Sequence, residues 1–345
     1  MGSRTGAGGG IGCPRPKEVR EQAMARQNGA RSGIELNWTL RTEIDLPCPG
    51  DGSAYRELAE PWFTAALTAL AGPLQAEFTP DADFSGRAVA LSRGEAAPGQ
   101  LWATLVVLEP TKRRQKPYEV PWSPKNWSAF LRDLESMPGQ ATVVLRAIGS
   151  DGHPDWPCLD VSVVRDRDTP EVVSLVASRT TEEFADPGAR SEAQARWIDF
   201  FRTQVHRHED ILYGSIADDA EDVTGRTALE VDLGLLLEDT FPGLGTVLRG
   251  YAWWTVCPPG VVSALGGVEA LRASGAFHEV EPLPGGGASL RATQNVWDYG
   301  EERVRAVFRT LAPALPEGKP VKGFSSDTPR LVYEDAADHR GVSRC

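Results

Sequence analysis

The folded region opens with the stretch LNWTLRTEI (Leu36–Ile44), in which apolar and polar residues alternate. Leu36, Trp38, Leu40 and Ile44 fall on one side of an extended chain, because successive side chains of a strand point to opposite faces. This alternation predicts a β-strand with one buried face and one polar face.

Outward from this strand, the spacing of apolar residues over Asp51–Leu70 predicts a helix. Pro61 must bend or restart that helix, because proline lacks the N–H group of the helical hydrogen bond. Further strands are predicted at Gln75–Thr79, Arg87–Leu91 and Leu101–Leu108.

A second helix is predicted to begin at Ser123-Pro124, with Ser123 as the N-cap and Pro124 in the first turn. Two apolar runs, Ala141–Ile148 and Cys158–Val164, flank a turn-rich segment and predict a hairpin. These elements make up a predicted N-terminal half of residues 34–168.

A C-terminal half is predicted over residues 169–315. Its predicted strands are Val172–Ala177, Ile211–Ile216, Thr246–Cys257, Phe277–Val280 and Ala288–Ala292, and its predicted helices are Arg190–His208, Pro258–Leu265 and Asp298–Leu311. Both halves alternate strands and helices and contain hairpins. The sequence therefore predicts an α+β fold of two similar-sized halves, with antiparallel or mixed sheets and helices packed on one face.

Two end segments fall outside these halves. Residues 1–33 have no periodic apolar positions to offset the entropy of ordering, so they are predicted to form a disordered leader. Residues 316–345 combine prolines with mixed charges and are predicted to form a loose tail.

The charge of the chain is distinctly acidic. The formal net charge is −12, and residues 1–33 hold six basic residues against two acidic ones, or +4, which leaves −16 for the rest. Nucleic-acid binding depends on a clustered positive face. The sequence therefore predicts no nucleic-acid partner.

The most hydrophobic stretch, Leu248–Val262, is interrupted by Arg249, Pro258 and Pro259. A membrane-spanning helix needs about 20 predominantly apolar residues, so no membrane partner is predicted. The N-terminus has no apolar core of the kind that a secretory signal requires. These features predict a cytoplasmic protein.

Side chains that could hold a metal or perform catalysis are scattered along the chain. The five cysteines form no Cys-x-x-Cys pair; they are Cys13, Cys48, Cys158, Cys257 and Cys345. His206 and His208 are two residues apart, so they point to different faces of a helix. We therefore predict no cofactor, no metal and no catalytic residues from local sequence.

Two charged segments are candidates for binding. The basic run Lys112–Lys116 lies close to aromatic residues, but on an acidic chain a solvated loop is favoured over nucleic-acid contact. The segment Asp218–Asp239 concentrates acidic residues, and a solvated loop and helix edge is its simplest interpretation. Its alternative is recognition of a basic partner, for which the predicted contact residues are Asp218, Asp219, Glu221, Asp222, Asp232, Glu238 and Asp239.

One part of the chain resembles a known family. The segments Phe241–Leu244, Arg249–Val256, Pro258–Gly267 and Glu281–Gly287 resemble the C-terminal part of bacterial immunity proteins, which neutralise polymorphic toxins and type VI secretion effectors. The resemblance covers Asp239–Leu315, about a fifth of the chain. It implies a stoichiometric protein inhibitor that has no catalytic residues.

Three functions follow as hypotheses. The first is a protein-binding module of the immunity type that inhibits a cognate toxin, with a basic toxin as the expected partner. The second is an enzyme whose site is assembled only in three dimensions, around His153, His206 or His278. The third is a structural or regulatory interaction protein unrelated to toxins. The sequence leaves the partner and the oligomeric state open.

Overall fold

The computed structural model describes residues 38–72, 74, 77–79, 81–108, 118–181, 186–218, 225–322 and 330–340. The chain divides into two units, residues 1–37 and 38–345, and every described residue belongs to the second. The predicted leader and the basic run Lys112–Lys116 lie outside the described residues.

Ten strands of the described residues form one sheet. They are β1 (Trp38–Pro47), β2 (Leu101–Leu108), β3 (Tyr118–Pro121), β4 (Gln140–Ile148), β5 (Pro154–Val164), β6 (Val172–Thr181), β7 (Tyr213–Ala217), β8 (Trp254–Cys257), β9 (Glu279–Pro282) and β10 (Ala288–Arg291). Their order is β3-β2-β4-β5-β6-β1-β7-β8-β10-β9, and each neighbouring pair is antiparallel.

The first strand of the sequence lies inside the sheet. Ile44 of β1 pairs with Leu175 of β6 on one side and with Gly214 of β7 on the other. The sheet therefore crosses the boundary that was predicted between residues 168 and 169 without a break. Because strands and helices are both abundant and the strand pairs are antiparallel, the predicted α+β class is confirmed.

Nine helices of the described residues surround the sheet. They are α1 (Gly52–Leu70), α2 (Arg87–Ser92), α3 (Pro124–Asp133), α4 (Arg190–Arg207), α5 (Ala228–Leu233), α6 (Leu237–Thr240), α7 (Pro259–Ala264), α8 (Gly267–Ala273) and α9 (Glu301–Leu311). Helices α1 and α3 each begin with a side-chain N-cap. Asp51 accepts a hydrogen bond from the Ala54 N–H at 2.9 Å, and Ser123 accepts one from the Asn126 N–H at 3.2 Å.

One face of the sheet, face A, carries Leu40 and Ile44 of β1 and packs against α1, α3 and α4. Trp62 of α1 and Phe200 of α4 have ring centres 5.0 Å apart, which joins these two helices. Arg179 of β6 lies in register with Leu40 and donates to the Leu70 carbonyl at the end of α1 over 2.7 Å. These contacts make face A the principal core.

The opposite face, face B, carries Glu43 and Asp45, which alternate with Ile44 along β1. Beneath β1 and its neighbours β7, β8 and β10 this face is also closed, since Leu290 of β10 and Cys257 of β8 are fully buried. The second half of the sheet is therefore covered on both faces. At β1, Arg249 joins face B to Glu230 of α5.

Three strand predictions are wrong in whole or in part. Of the predicted strand Gln75–Thr79, the described residues 77–79 form no strand. Arg87–Leu91 belongs to α2, because its alternation of alanine with larger apolar residues is equally compatible with one helical turn and alanine favours the helix. The predicted strand Thr246–Cys257 is reduced to Trp254–Cys257, since its partner β7 has only five residues. In the segment before Trp254, which is not a strand, the side chain of Arg249 points into the interior.

The C-terminal residues 330–340 pack on the folded body. The Val332 N–H donates to the Tyr251 hydroxyl at 2.8 Å, and the side chains of Val332 and Ala336 are buried. This part of the predicted tail has enough apolar surface to be ordered. It covers α9, where the Phe308 ring lies 5.8 Å from Tyr251 and 5.2 Å from His339.

Replacing Phe308 with alanine should lower the free energy of unfolding by about 3–5 kcal/mol, because it empties a buried site between α9 and the C-terminal segment. Arg309→Ala, on the exposed side of the same helix, is the matched control. Urea denaturation of both variants measures the difference. Equal midpoints for Phe308→Ala and the wild type would show that this helix face does not hold the core.

Candidate functional site

A fully buried arginine organises face B. Arg249 lies in the segment before β8, and all five of its N–H groups have acceptors. These acceptors are Glu43 Oε1 at 2.5 Å, Asp45 Oδ2 at 2.7 Å, Glu230 Oε1 and Oε2 at 2.9 Å each, and the Gly225 carbonyl at 2.7 Å. The guanidinium therefore joins the central strand β1 to helix α5.

The local sequence around α5 fixes the position of the Glu230 carboxylate. Thr227 and Glu230 form a capping box, in which the Thr227 side chain accepts from the Glu230 N–H and Glu230 accepts from the Thr227 N–H at 2.7 Å. Glu230 also accepts from the Thr240 hydroxyl at 2.6 Å. With the two bonds from Arg249, its two oxygens accept four hydrogen bonds.

The two carboxyl groups of β1 respond differently to burial. Burial opposes ionisation of Glu43, but Arg249 and Arg41 outweigh it and lower the pKa of Glu43; the Arg41 guanidinium lies 2.9 Å from Glu43. Burial raises the pKa of Asp45 to about 7, because the attraction of Arg249 is not enough to offset it and Glu43 adds repulsion. The side chains of Arg249, Glu43 and Asp45 are at most 2% exposed, so the cluster is closed to a substrate.

Replacing Arg249 with leucine should destabilise the protein by about 3–5 kcal/mol or more, because it leaves three carboxyl groups buried without their shared counter-charge. Arg272→Leu removes an exposed ion pair with Glu269 and should change stability by at most about 1 kcal/mol. Chemical denaturation compares the two. If Arg249→Leu lowered the free energy of unfolding no more than Arg272→Leu, the central role of this cluster would be contradicted.

The structure places the predicted acidic contact residues at different depths. The side chain of Asp218 is 5% exposed, and its Oδ2 lies 2.5 Å from the Arg330 guanidinium. Asp232 is buried and accepts from the Tyr333 hydroxyl at 3.0 Å. Both carboxylates therefore have partners within the fold.

The remaining predicted contact residues fall into two groups. Glu238 and Asp239 are exposed on α6, where Asp239 also accepts from the Leu236 N–H at 2.8 Å. Asp219, Glu221 and Asp222 lie outside the described residues. The described members do not form one continuous acidic surface.

The described surface as a whole is nevertheless acidic. Among the described residues, 26 exposed side chains are Asp or Glu, whereas 12 are Lys or Arg. Several of the acidic residues gather around a cleft at the start of α9. This cleft has a volume of about 720 Å³ and lies between α9 and the loops around β9 and β10.

The cleft contains one histidine, three carboxylates and one arginine. They are His278, Asp298, Glu301, Glu302 and Arg303. His278 and all three carboxylates are exposed, whereas Arg303 donates to the Gly275 carbonyl at 2.7 Å. Arg303 keeps its positive charge in this bond, but Asp298, Glu301 and Glu302 outnumber it, so the lining of the cleft is negative on balance.

Two of the cleft carboxylates also have neighbours. Asp298 accepts from the Asn295 amide at 2.7 Å, and Glu301 accepts from Arg305 at 3.0 Å. Both contacts are exposed and local, so they leave acceptor capacity for a ligand. Glu301 and Glu302 also lie in the first turn of α9, where their charge favours the helix dipole.

The other histidines that the sequence singled out lie elsewhere. His206 contacts Glu281 at 2.9 Å, and the backbone N–H of His153 donates to Asp151 in a tight turn. The sequence predicted the helix that begins near Asp298 and named His278, but nothing local indicated that they meet. Within the part of the chain that the structure describes, no three His, Cys, Asp or Glu side chains converge closely enough to hold a metal ion.

Among the described residues, no helix is both long enough and apolar enough to cross a membrane.

No protein-family model and no curated protein matches this chain. Among solved structures, the chain is similar to the Pseudomonas aeruginosa T6SS protein PA0821. The two share 13% sequence identity with a TM-score of 0.48, over 88% of this chain and 86% of that chain. At this level of similarity, no residue role is carried over from that protein.

Proposed function

We propose that the protein is a binding module of the immunity type, which inhibits a basic toxin by forming a stoichiometric complex with it. The excess of exposed carboxylates over exposed cations, 26 against 12 among the described residues, supports this proposal. An acidic surface attracts a basic protein over a distance of about one Debye length and orients it before contact. Such complementarity raises the association rate and excludes acidic competitors.

The cleft at α9 is the proposed contact for a lysine or arginine side chain of that partner. Asp298, Glu301 and Glu302 supply three carboxylates around a space that can admit a long side chain. From the acidic segment that the sequence singled out, Glu238 and Asp239 offer exposed charge as well. Asp218 and Asp232 would act indirectly, since their described partners are Arg330 and Tyr333.

The test begins with affinity capture from the native cell and identification of a partner bound at one copy per chain. Association rates are then measured at low and high salt for the wild type and for the variant Asp298→Asn/Glu301→Gln/Glu302→Gln. Because charges at the rim of an interface act mainly on association, the variant should bind about tenfold more slowly at low salt and show a weaker salt dependence. Its stability should change by less than about 1 kcal/mol.

A matched control neutralises three exposed carboxylates away from the cleft, as Glu57→Gln/Glu119→Gln/Asp155→Asn. This control separates a local contact from the effect of total charge, since both variants lose three negative charges. If the two triple variants bind at the same rate, the cleft is not the contact. If the wild type captures no stoichiometric partner, the immunity-type function is rejected.

A second candidate function, an enzyme, is favoured by the presence of His278 and carboxylates in one cleft. A histidine beside carboxylates is suited to general acid–base catalysis. His278→Asn retains most of the size and polarity of the side chain but cannot transfer a proton near neutral pH. If the wild type and His278→Asn neutralise the toxin equally, binding accounts for the activity; a loss of neutralisation with unchanged binding would favour the enzyme.

A further inference from the structure

The buried cluster around Arg249 carries unequal numbers of acidic and basic groups. Among the described residues, three carboxyl groups and two guanidinium groups meet there: those of Glu43, Asp45, Glu230, Arg41 and Arg249. If all were ionised, the cluster would hold one negative charge in excess. An uncompensated charge is costly in the protein interior, where it cannot be hydrated.

The hydrogen bonds indicate where a neutralising proton can reside. Both oxygens of Glu230 accept from Arg249 and from a second donor, and Glu43 lies between two guanidinium groups. Asp45 differs, because as a carboxylate its Oδ1 accepts from the Ser174 hydroxyl at 2.5 Å and its Oδ2 accepts from Arg249, while its side chain also lies within hydrogen-bond reach of Glu43. A hydroxyl can accept a hydrogen bond as well as donate one.

We propose that this cluster is a buried proton-binding site, which holds one proton on the Asp45 carboxyl group in weakly acidic solution and releases it as the pH rises past neutral. The protonated carboxyl donates from Oδ1 to Ser174 Oγ and accepts from Arg249 through Oδ2. Two carboxylates then face two guanidinium groups, and the cluster is neutral. This inference is independent of the proposed function.

The other titratable groups near Asp45 are consistent with this balance of charges in the cluster. Tyr213 of β7 lies directly opposite Asp45, and burial raises its pKa, so the phenol stays neutral. Farther out, Tyr299 lies near the pair formed by Asp218 and Arg330, and burial raises its pKa as well. Among the described groups, the titration of the cluster near neutral pH therefore falls to Asp45, whose pKa burial raises to about 7.

The proton links pH to the attachment of α5. The ordinary pKa of an aspartate is 3.8, and in the folded protein that of Asp45 rises to about 7. At pH values below the ordinary pKa of an aspartate, the proton on Asp45 therefore contributes its full stabilisation to the fold. This contribution is lost as the pH rises through about 7. Above that pH, a net negative charge remains beneath α5 and weakens the connection between Glu230, Arg249 and β1.

The test compares unfolding of the wild type, Asp45→Asn and the control Asp155→Asn from pH 5.5 to pH 8.5. Asparagine reproduces the shape of the protonated carboxyl but does not titrate. Over this range, the folded-to-unfolded ratio of the wild type should fall about thirtyfold relative to Asp45→Asn. Asp155, an exposed residue of β5, should leave the pH dependence of the wild type unchanged when replaced. Parallel profiles for the wild type and Asp45→Asn would overturn the proposal.

A second measurement does not depend on a folded variant. Carboxyl carbon resonances of aspartate-labelled wild-type protein should include one that titrates near pH 7. Burial also raises the pKa of Asp160, so Asp160→Asn must leave this resonance in place. If every aspartate resonance, apart from any assigned to Asp160, has finished titrating below pH 5.5, the cluster holds no proton at neutral pH and the proposal is wrong.

Discussion

The fold depends on one interaction, the contact of Arg249 with the carboxyl groups of Glu43, Asp45 and Glu230 inside face B. Removing charged groups from water costs several kcal/mol each, so such a cluster is not a large source of stability compared with a well-packed apolar core. The cluster instead specifies the position of α5 relative to β1. Because all five donors of Arg249 have acceptors, any displacement of α5 across β1 would leave a buried donor or carboxylate unpaired.

This constraint acts on the most central part of the sheet. β1 precedes all other described elements in the chain, yet it pairs with β6 and β7, which lie more than 120 residues later. The central strand is therefore completed only when distant segments have folded. Contacts of such long sequence separation slow folding, because the entropy of closing the chain must be overcome before they form. The Arg249 cluster adds a still longer connection, from β1 to the segment before β8.

The distribution of charge differs between the interior and the surface. Inside, the carboxyl groups of Glu43, Asp45 and Glu230 gather around the Arg249 guanidinium. Outside, the described surface carries about twice as many acidic as basic side chains. The exposed groups contribute little to stability, since water screens them. The cleft at α9 combines such charge with a concave shape.

Elements whose signals are local could be predicted from the residues alone. The alternation after Leu36 gave β1, Ser123-Pro124 gave the start of α3, and the stripe that contains Phe308 gave the buried face of α9. These predictions succeeded because capping and amphipathic periodicity act within a few residues. Arg87–Leu91 failed because a run of five residues fits either period.

The tertiary structure alone decided which charged residues are exposed. In sequence, Asp218, Glu230 and Asp232 belong to one acidic stretch, whereas in the fold each turns to a different partner: Arg330, Arg249 and Tyr333. Those partners are 19 to 112 residues away along the chain. His278 and the carboxylates of the α9 cleft likewise meet only through packing. Local patterns specify which element forms, but the burial and pairing of a charge depend on residues that only the complete fold brings into contact.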